Sequence, residues 1–499
     1  MRIFILFALF YLSFFFNLGD VPLFNLDEGA FSEAVREMLK SGDFITTYLG
    51  GELRFDKPIL IYWLEALSVK IFGINEFAFR LPSALSAFLW GWAIYFFVKE
   101  EFDEQKAFWS ALFFASAIQI SIIAKAAIAD SLLNLFIALS MFFVWRYFQK
   151  RVKRDLYFVF LFIGLGTLTK GPVAIMIPFV VSFLFLLYKK DFRFWLKSVF
   201  DIKGILIFLL VAAPWYVAEY MAQGEAFIDG FFLKHNLQRF NSAFESHSGG
   251  YFYYVPVLLI GLLPFTALIL KGLWGLKRRD LDIFLLFWFL FVFIFFSFSG
   301  TKLPHYVIYG YTPLFIFGSF VVCKFKKISY VILPMVFLFS IFMFVREIAL
   351  IFVDKIKDLY AKELIFSSAD IFGIDYKLKL FFIIAVLLGM FFVKNVRKAL
   401  VSVAFISLLG LNGVVIPSYA KLVEEPIKEA GLFIAEKDLK NVVMYGMNTP
   451  SVMVYAKRII KRDMPKSGDI VFTKINKLND FKNYKILFKK RAVAVAKIL

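Results

Sequence analysis

The sequence predicts an all-α polytopic membrane protein with about thirteen transmembrane helices, followed by a small α/β unit at the C-terminus. Composition is the first observation: 61% of the 499 residues are hydrophobic and 20% aromatic, with 69 phenylalanines. A soluble domain is about 45–50% apolar, so this chain has more apolar side chain than a water-facing surface tolerates. The mean hydropathy is +0.75. The second observation is the recurrence of apolar runs of about 18 residues along most of the chain. The third is that beyond residue 417 these runs shorten to strand length.

The apolar segments lie near 2–18, 80–98, 107–124, 131–148, 156–169, 172–188, 204–221, 252–270, 281–298, 305–323, 329–346, 376–393 and 399–416. Residues 1–18 are not followed by a small-residue cleavage site, since Asn17-Leu18-Gly19-Asp20 stands there, so they read as a retained first helix. Segment 58–72 is apolar but short. With Lys57, Glu65 and Lys70 around it, it reads as a helix lying in the membrane interface. The single cysteine, Cys323, excludes an intrachain disulfide.

Sidedness follows from Lys and Arg in the short loops. Loops 99–106, 149–155, 189–203, 271–280, 324–327 and 394–398 hold 21 basic residues, whereas 124–130, 168–172 and 299–305 hold one lysine each. The net charge of +19 is thereby a membrane feature, and no nucleic-acid partner is expected. The N-terminus is expected in the cytoplasm. The loop 19–79, with its interfacial helices, and the tail 417–499 then fall on the outer side. The division is a membrane domain over 1–416 and an outer α/β domain over 417–499. In that tail, strand-length runs occur at 442–445, 469–473, 484–488 and 492–496, and 424–437 has helical spacing.

Ionisable residues near a bilayer are costly and usually functional. Here they gather on the outer side: Asp27-Glu28, Asp56-Lys57-Pro58 with Tyr62-Trp63, Lys125, Asp130, Lys170, His235-Asn236, Arg239, His247 and Lys302-Leu303-Pro304-His305-Tyr306. All three histidines are among them. Each also has a structural reading. Asp27 and Asp130 suit helix N-caps, Glu28 suits a first helical turn, and Lys170, Arg239 and Lys302 suit snorkelling helix ends. Taken together, carboxylates facing cations at one membrane surface fit transfer from a lipid phosphate. Cations neutralise the departing phosphate, and a carboxylate takes a proton from an acceptor hydroxyl. No P-loop or dinucleotide fingerprint is present.

The order and spacing of these pieces resemble the GT-C glycosyltransferases, in the branch of the protein O-mannosyltransferases and the bacterial lipid A aminoarabinose transferases. Arg80-Leu81-Pro82-Ser83, Leu168-Thr169-Lys170-Gly171-Pro172 and Pro214-Trp215-Tyr216 complete the match. The resemblance implies a GT-C fold in a bacterial inner membrane and an undecaprenyl phosphate-linked sugar donor. It implies inverting transfer to lipid A, or to a related lipid or glycan acceptor, by a monomer. Asp27 maps to the family's catalytic aspartate, which orients or deprotonates the acceptor, assisted by Glu28 or Asp130. Lys57 maps to a phosphate ligand, with Lys170, Arg239, Lys302 and His305 as further phosphate-binding candidates. Tyr62, Trp63, Asn236 and Tyr306 are expected in the substrate pocket. Asp56 and His235 are the candidates for a divalent metal. The sequence departs from the aminoarabinose pattern Asp-Glu-x-Arg-Tyr, reading Asp27-Glu28-Gly29-Ala30-Phe31. Another cation, Arg239 or Lys302, is expected to take the arginine's place. A protein O-glycosyltransferase or glycan ligase of the same fold, and a lipid-linked sugar flippase, are the other readings.

Overall fold

The computed structural model describes residues 1–238, 249–277 and 279–499. Helices stand at all thirteen expected segments. By length and composition, five of the described helices are able to cross a membrane, or up to eight when each bent pair counts as one span. Capping residues between apolar runs set several boundaries. Asn75 accepts from the Ala78 N–H to open Glu76–Glu101, and Asp103 accepts from the Lys106 N–H to open Glu104–Ser116. The helix Ile202–Gln223 turns Leu206, Leu209, Leu210, Val217 and Met221 outward. A face so apolar and so exposed belongs against lipid.

Three expected helices are broken among the described residues, one of them 329–346, where Ser329–Met343 and Val345–Ile351 are bent by 64°. Segment 252–270 divides into Tyr254–Gly261 and Thr266–Trp274, bent by 114°. Pro264, which lacks an N–H and cannot continue a helix ladder, sits at the break. Segment 107–124 divides into Glu104–Ser116 and Ile118–Ala124, bent by 68°. Ala117 is extended there, and the freed Ile118 N–H donates to Leu263 O at 3.1 Å, so the two breaks satisfy each other.

The charged loops cluster as the basic-residue asymmetry predicts. Lys150 pairs with Glu100 at 2.8 Å, Arg151 with Asp191 at 2.9 Å, Lys189 with Asp280 at 2.8 Å, and Lys153 with Asp201. These four pairs draw loops 99–106, 149–155, 189–203 and 271–280 to one end of the helices. Their individual stabilisation is small because they are exposed.

Residues 19–79 cover the opposite end. The helix Asp27–Ser41 buries Phe31, Ala34, Val35 and Met38, the spacing of one helical face, against Ile59, Tyr62 and Ala66 of the Leu60–Phe72 region. It stops at Gly42, whose φ of 76° is left-handed. Strands β1 (Tyr48–Leu49) and β2 (Glu52–Leu53) form a hairpin through Gly50 and Gly51, both at positive φ. The two glycine N–H groups donate to the Glu37 carboxylate at 2.6 and 3.0 Å. Thr46 donates to Glu219 at 2.9 Å and Trp215 to Ile45 O at 2.9 Å, which ties this layer to the helix Ile202–Gln223.

Beyond residue 425 the chain builds a mixed sheet. Strands β3 (Val442–Tyr445), β4 (Lys461–Arg462), β5 (Ile470–Lys474), β6 (Tyr484–Lys490) and β7 (Val493–Ile498) lie in the order β4-β3-β5-β7-β6. The helix Glu425–Glu436 packs Ile427, Ala430 and Ile434 onto Phe472, Val493 and Val495 of the sheet.

Candidate functional site

The first turn of Asp27–Ser41 meets the N-terminal part of Glu76–Glu101 through a buried ion pair. Arg80 Nε and Nη2 reach the two Glu28 carboxylate oxygens at 2.8 and 2.7 Å. Phe24 N–H and Ala127 N–H donate to the same carboxylate, each at 2.8 Å. Arg80 also donates to the carbonyls of Leu18, Val21 and Pro22. Four N–H donors therefore fill Glu28, which fixes the loop and is no base, contrary to its expected catalytic role.

Asp27 is placed differently. It is the first helical residue yet makes no cap bond, and among the described residues its carboxylate accepts no hydrogen bond. It opens onto a cavity of about 500 Å3. Its wall combines polar side chains (Asn17, Asn25, Asp27, Arg80, Lys125 and His305) with apolar ones such as Phe342, Phe372, Leu411 and Ile416.

Asp130 heads the helix Asp130–Lys150 and is 3% exposed. Its carboxylate accepts from Lys170 Nζ at 2.7 Å and from the Tyr309 hydroxyl at 3.0 Å, and it lies 3.9 Å from His305 Nε2. Lys170 stands 5.6 Å from the ring centres of both Tyr306 and Tyr309. Asp130 thus holds Lys170 and Tyr309 in place, and neither an N-cap nor a proton acceptor describes it. The charges of Asp130, Lys170, Asp27 and Lys57 all act on His305, so residues far apart in sequence share one neighbourhood.

Lys57 Nζ donates to Asp56 Oδ1 at 2.8 Å, and Arg54 Nη2 to Asp56 Oδ2 at 3.2 Å. Arg54 lies 5.3 Å from the Phe31 ring centre, and the charge of Asp27 acts on it. Arg54 is therefore the cation beside Asp27 and Phe31, where Arg239 or Lys302 was expected. Lys302 Nζ is instead held by Ser299 O at 2.7 Å and does not line the cavity. Arg239 and His247 lie outside the described residues, as do the side chains of His235 and Asn236.

Three pocket expectations are corrected. Tyr62 is completely buried and stacked on Phe31 at 5.1 Å, because it serves the packing between the two first-loop helices. Trp63 lies at the surface, donating to Phe44 O at 2.7 Å. Tyr306 packs on Phe296 at 5.1 Å beside Lys170 and does not line the cavity. Nor do the residues fit a metal. Asp56 already faces two cations, and the described residues contain no group of three His, Cys, Asp or Glu able to hold one.

The sequence reading assigned no role to Arg80, Lys125, Arg54 or Tyr309. Arg80 had a usable signal, a charge inside an otherwise apolar helix. Lys125 lies in the loop before Asp130 and donates to Phe16 O at 2.7 Å. Burial, and then repulsion from Arg80, push its ammonium down to about 7 from the ordinary 10.5. Between those two values the unfolded chain binds the extra proton, so stability rises with pH across that window. Lys125→Met is expected to flatten this rise in thermal unfolding curves taken from pH 7 to pH 10; an unchanged slope contradicts it.

Comparison with known proteins agrees with this arrangement. A family model described as dolichyl-phosphate-mannose-protein mannosyltransferase matches residues 56–217. An uncharacterized protein of Aquifex aeolicus is 31% identical over 343 residues, covering 68% of this chain and 78% of its own length. The undecaprenyl phosphate-alpha-4-amino-4-deoxy-L-arabinose arabinosyl transferase 2 of Proteus mirabilis is 29% identical over 314 residues, covering 61% of this chain. The chain spans 56% of that relative's length. The crystal structure of ArnT from Cupriavidus metallidurans bound to undecaprenyl phosphate superposes with a TM-score of 0.81 at 18% identity, over 99% of this chain and 97% of that one. At that identity the likeness speaks for the fold, a multi-pass membrane architecture. Helix order, the first-loop layer and the family matches converge: the chain belongs to the GT-C glycosyltransferases.

Proposed function

We propose that this protein transfers a sugar from undecaprenyl phosphate to lipid A, or to a related glycolipid, on the periplasmic face of a bacterial inner membrane. The observation that carries the reading is Asp27, a carboxylate that accepts no hydrogen bond among the described residues, lining a cavity whose wall is both polar and apolar. Such a cavity suits a molecule that is half headgroup and half hydrocarbon. The names of the arabinosyl transferase relatives and the undecaprenyl phosphate bound to the ArnT neighbour support the donor. In this reading the N-terminus is cytoplasmic, all thirteen helical segments cross, and residues 417–499 form a periplasmic domain.

The chemistry is one displacement with inversion. The acceptor oxygen attacks the anomeric carbon, the bond from that carbon to the phosphate oxygen breaks, and the lipid phosphate leaves with the electron pair. In this reading Lys57, Lys170, Arg54 and His305 neutralise the growing negative charge of the phosphate. Asp27 accepts the proton of an acceptor hydroxyl. If the acceptor is a phosphate, which is already ionised near neutral pH, Asp27 instead accepts from an amine on the sugar and so positions the donor.

The direct test is purified protein, a radiolabelled undecaprenyl phosphate sugar and lipid A. Label appearing on lipid A supports the reading. Label crossing a vesicle membrane intact, with none transferred, means a flippase. Lys57→Met is expected to weaken undecaprenyl phosphate binding about tenfold to a hundredfold, the loss of one charge-assisted hydrogen bond. Titration by native mass spectrometry checks this, and unchanged affinity removes Lys57 from the phosphate site.

A further inference from the structure

Among the described residues no side chain hydrogen-bonds to Asp27, so its place depends on the backbone of residues 23–29. That backbone is gripped by the C-terminal unit. Asn25 donates from Nδ2 to Glu424 at 2.7 Å, and its Oδ1 accepts from the Ser451 N–H at 3.2 Å and the Ser451 hydroxyl at 2.7 Å. The Leu23 N–H donates to the Tyr455 hydroxyl at 2.8 Å. That hydroxyl donates to Glu76 at 3.0 Å, and Glu76 also accepts from Lys428 at 2.6 Å.

On the other side of Asp27, Gly29 touches the helix Ser451–Ala456 backbone to backbone. A Cβ on Gly29 would stand 2.6 Å from Ser451 N and 3.0 Å from its Cα, so only glycine permits the approach. Glu424, Ser451 and Tyr455 are all buried at this seam. Apolar packing would suffice to dock the unit. A fully satisfied polar network does more, because it specifies one arrangement of the two surfaces.

We propose that the C-terminal unit is part of the catalytic apparatus and positions Asp27 through Asn25, Ser451 and Tyr455. The proposal rests on Asp27 being the reacting carboxylate. Ser451 and Tyr455 do not line the cavity, and the Asn25 side chain is engaged by Glu424 and Ser451; they are positioning residues, and a displacement of about 1 Å at a reacting group lowers turnover about a hundredfold.

The test uses the full-length protein in detergent, with undecaprenyl phosphate as the binding probe. Transfer is followed with undecaprenyl phosphate-linked aminoarabinose and lipid A. Asn25→Ala is expected to lower kcat about tenfold to a hundredfold, with undecaprenyl phosphate Kd and Tm close to wild type. Adding Ser451→Ala to it should cause no further loss, since the two side chains act as one unit. Should Asn25→Ala fail to fold, Ser451→Ala and Tyr455→Phe each remove a single hydroxyl and are expected to lower kcat severalfold by the same route. Wild-type kcat in these variants overturns the proposal, as does a parallel fall of kcat, probe affinity and Tm, which describes a purely structural seam. Full transfer by Asp27→Asn overturns the underlying reading of the site. An inactive Asp27→Asn beside a fully active Asn25→Ala overturns the positioning role alone.

Discussion

Asp27→Asn is expected to lower sugar transfer about a hundredfold to ten-thousandfold, the usual contribution of a positioned proton acceptor. Folding and undecaprenyl phosphate binding should be unchanged. The reasoning is geometric. Amide and carboxylate have nearly the same shape, and the Asp27 carboxylate accepts no hydrogen bond among the described residues, so the exchange breaks no contact there. It removes only the ability to take a proton or to face a cation in the cavity. The measurement is a single-turnover transfer assay beside an undecaprenyl phosphate titration. Loss of transfer with retained binding fits; wild-type turnover would falsify the role.

Arg80→Met is expected to be the most damaging single change to stability, by about 3–5 kcal/mol, because it strands a buried carboxylate without its cation. Arg80 and Glu28 are each 3% exposed, and the arginine also satisfies the carbonyls of Leu18, Val21 and Pro22. The same change frees the turn that carries Asp27, so activity should fall with stability. Combining Arg80→Met with Glu28→Gln should recover part of the loss, because the stranded charge is gone while an acceptor remains for one of the Phe24 and Ala127 N–H groups, which face different carboxylate oxygens. Thermal unfolding followed by fluorescence-detected size exclusion reports both. A single variant as stable as wild type contradicts the assignment.

Lys57→Met and Asn25→Ala separate the phosphate-binding and positioning parts of the site. The first should move affinity and the second turnover. The Cys323 side chain, accepting from Gln105 at 3.1 Å, plays no part in either and offers a labelling position for such assays.

Much of the helical layout was legible because lipid imposes a rule that sequence displays directly. A segment that crosses hydrocarbon must be apolar along its whole length. The thirteen apolar segments, the basic loops and the strand runs at 442–445 and 484–488 all follow from local composition. The break around Pro264 had a signal in the proline itself, whereas the one at Ala117 was not legible, because the freed Ile118 N–H is satisfied by Leu263 O of another segment. The first-loop aromatics were misread for a similar reason. Tyr62 and Trp63 look alike as neighbours of Lys57. A helix turns them to different faces, one into the seam with Phe31 and one to the surface.

Among the candidate residues, the sequence by itself determined which chemistry was available: Asp27, Lys57, Lys170 and His305 follow from the rarity of charge beside a bilayer. What each group does was decided only by the tertiary structure. Adjacent Asp27 and Glu28 are nearly equivalent in sequence, yet folding surrounds Glu28 with four donors and leaves Asp27 facing the cavity. The physical reason is that a carboxylate's role depends on the donors around it. Here three of the four donors come from Arg80 and Ala127, 52 and 99 residues away along the chain, a distance over which local sequence pattern carries no information.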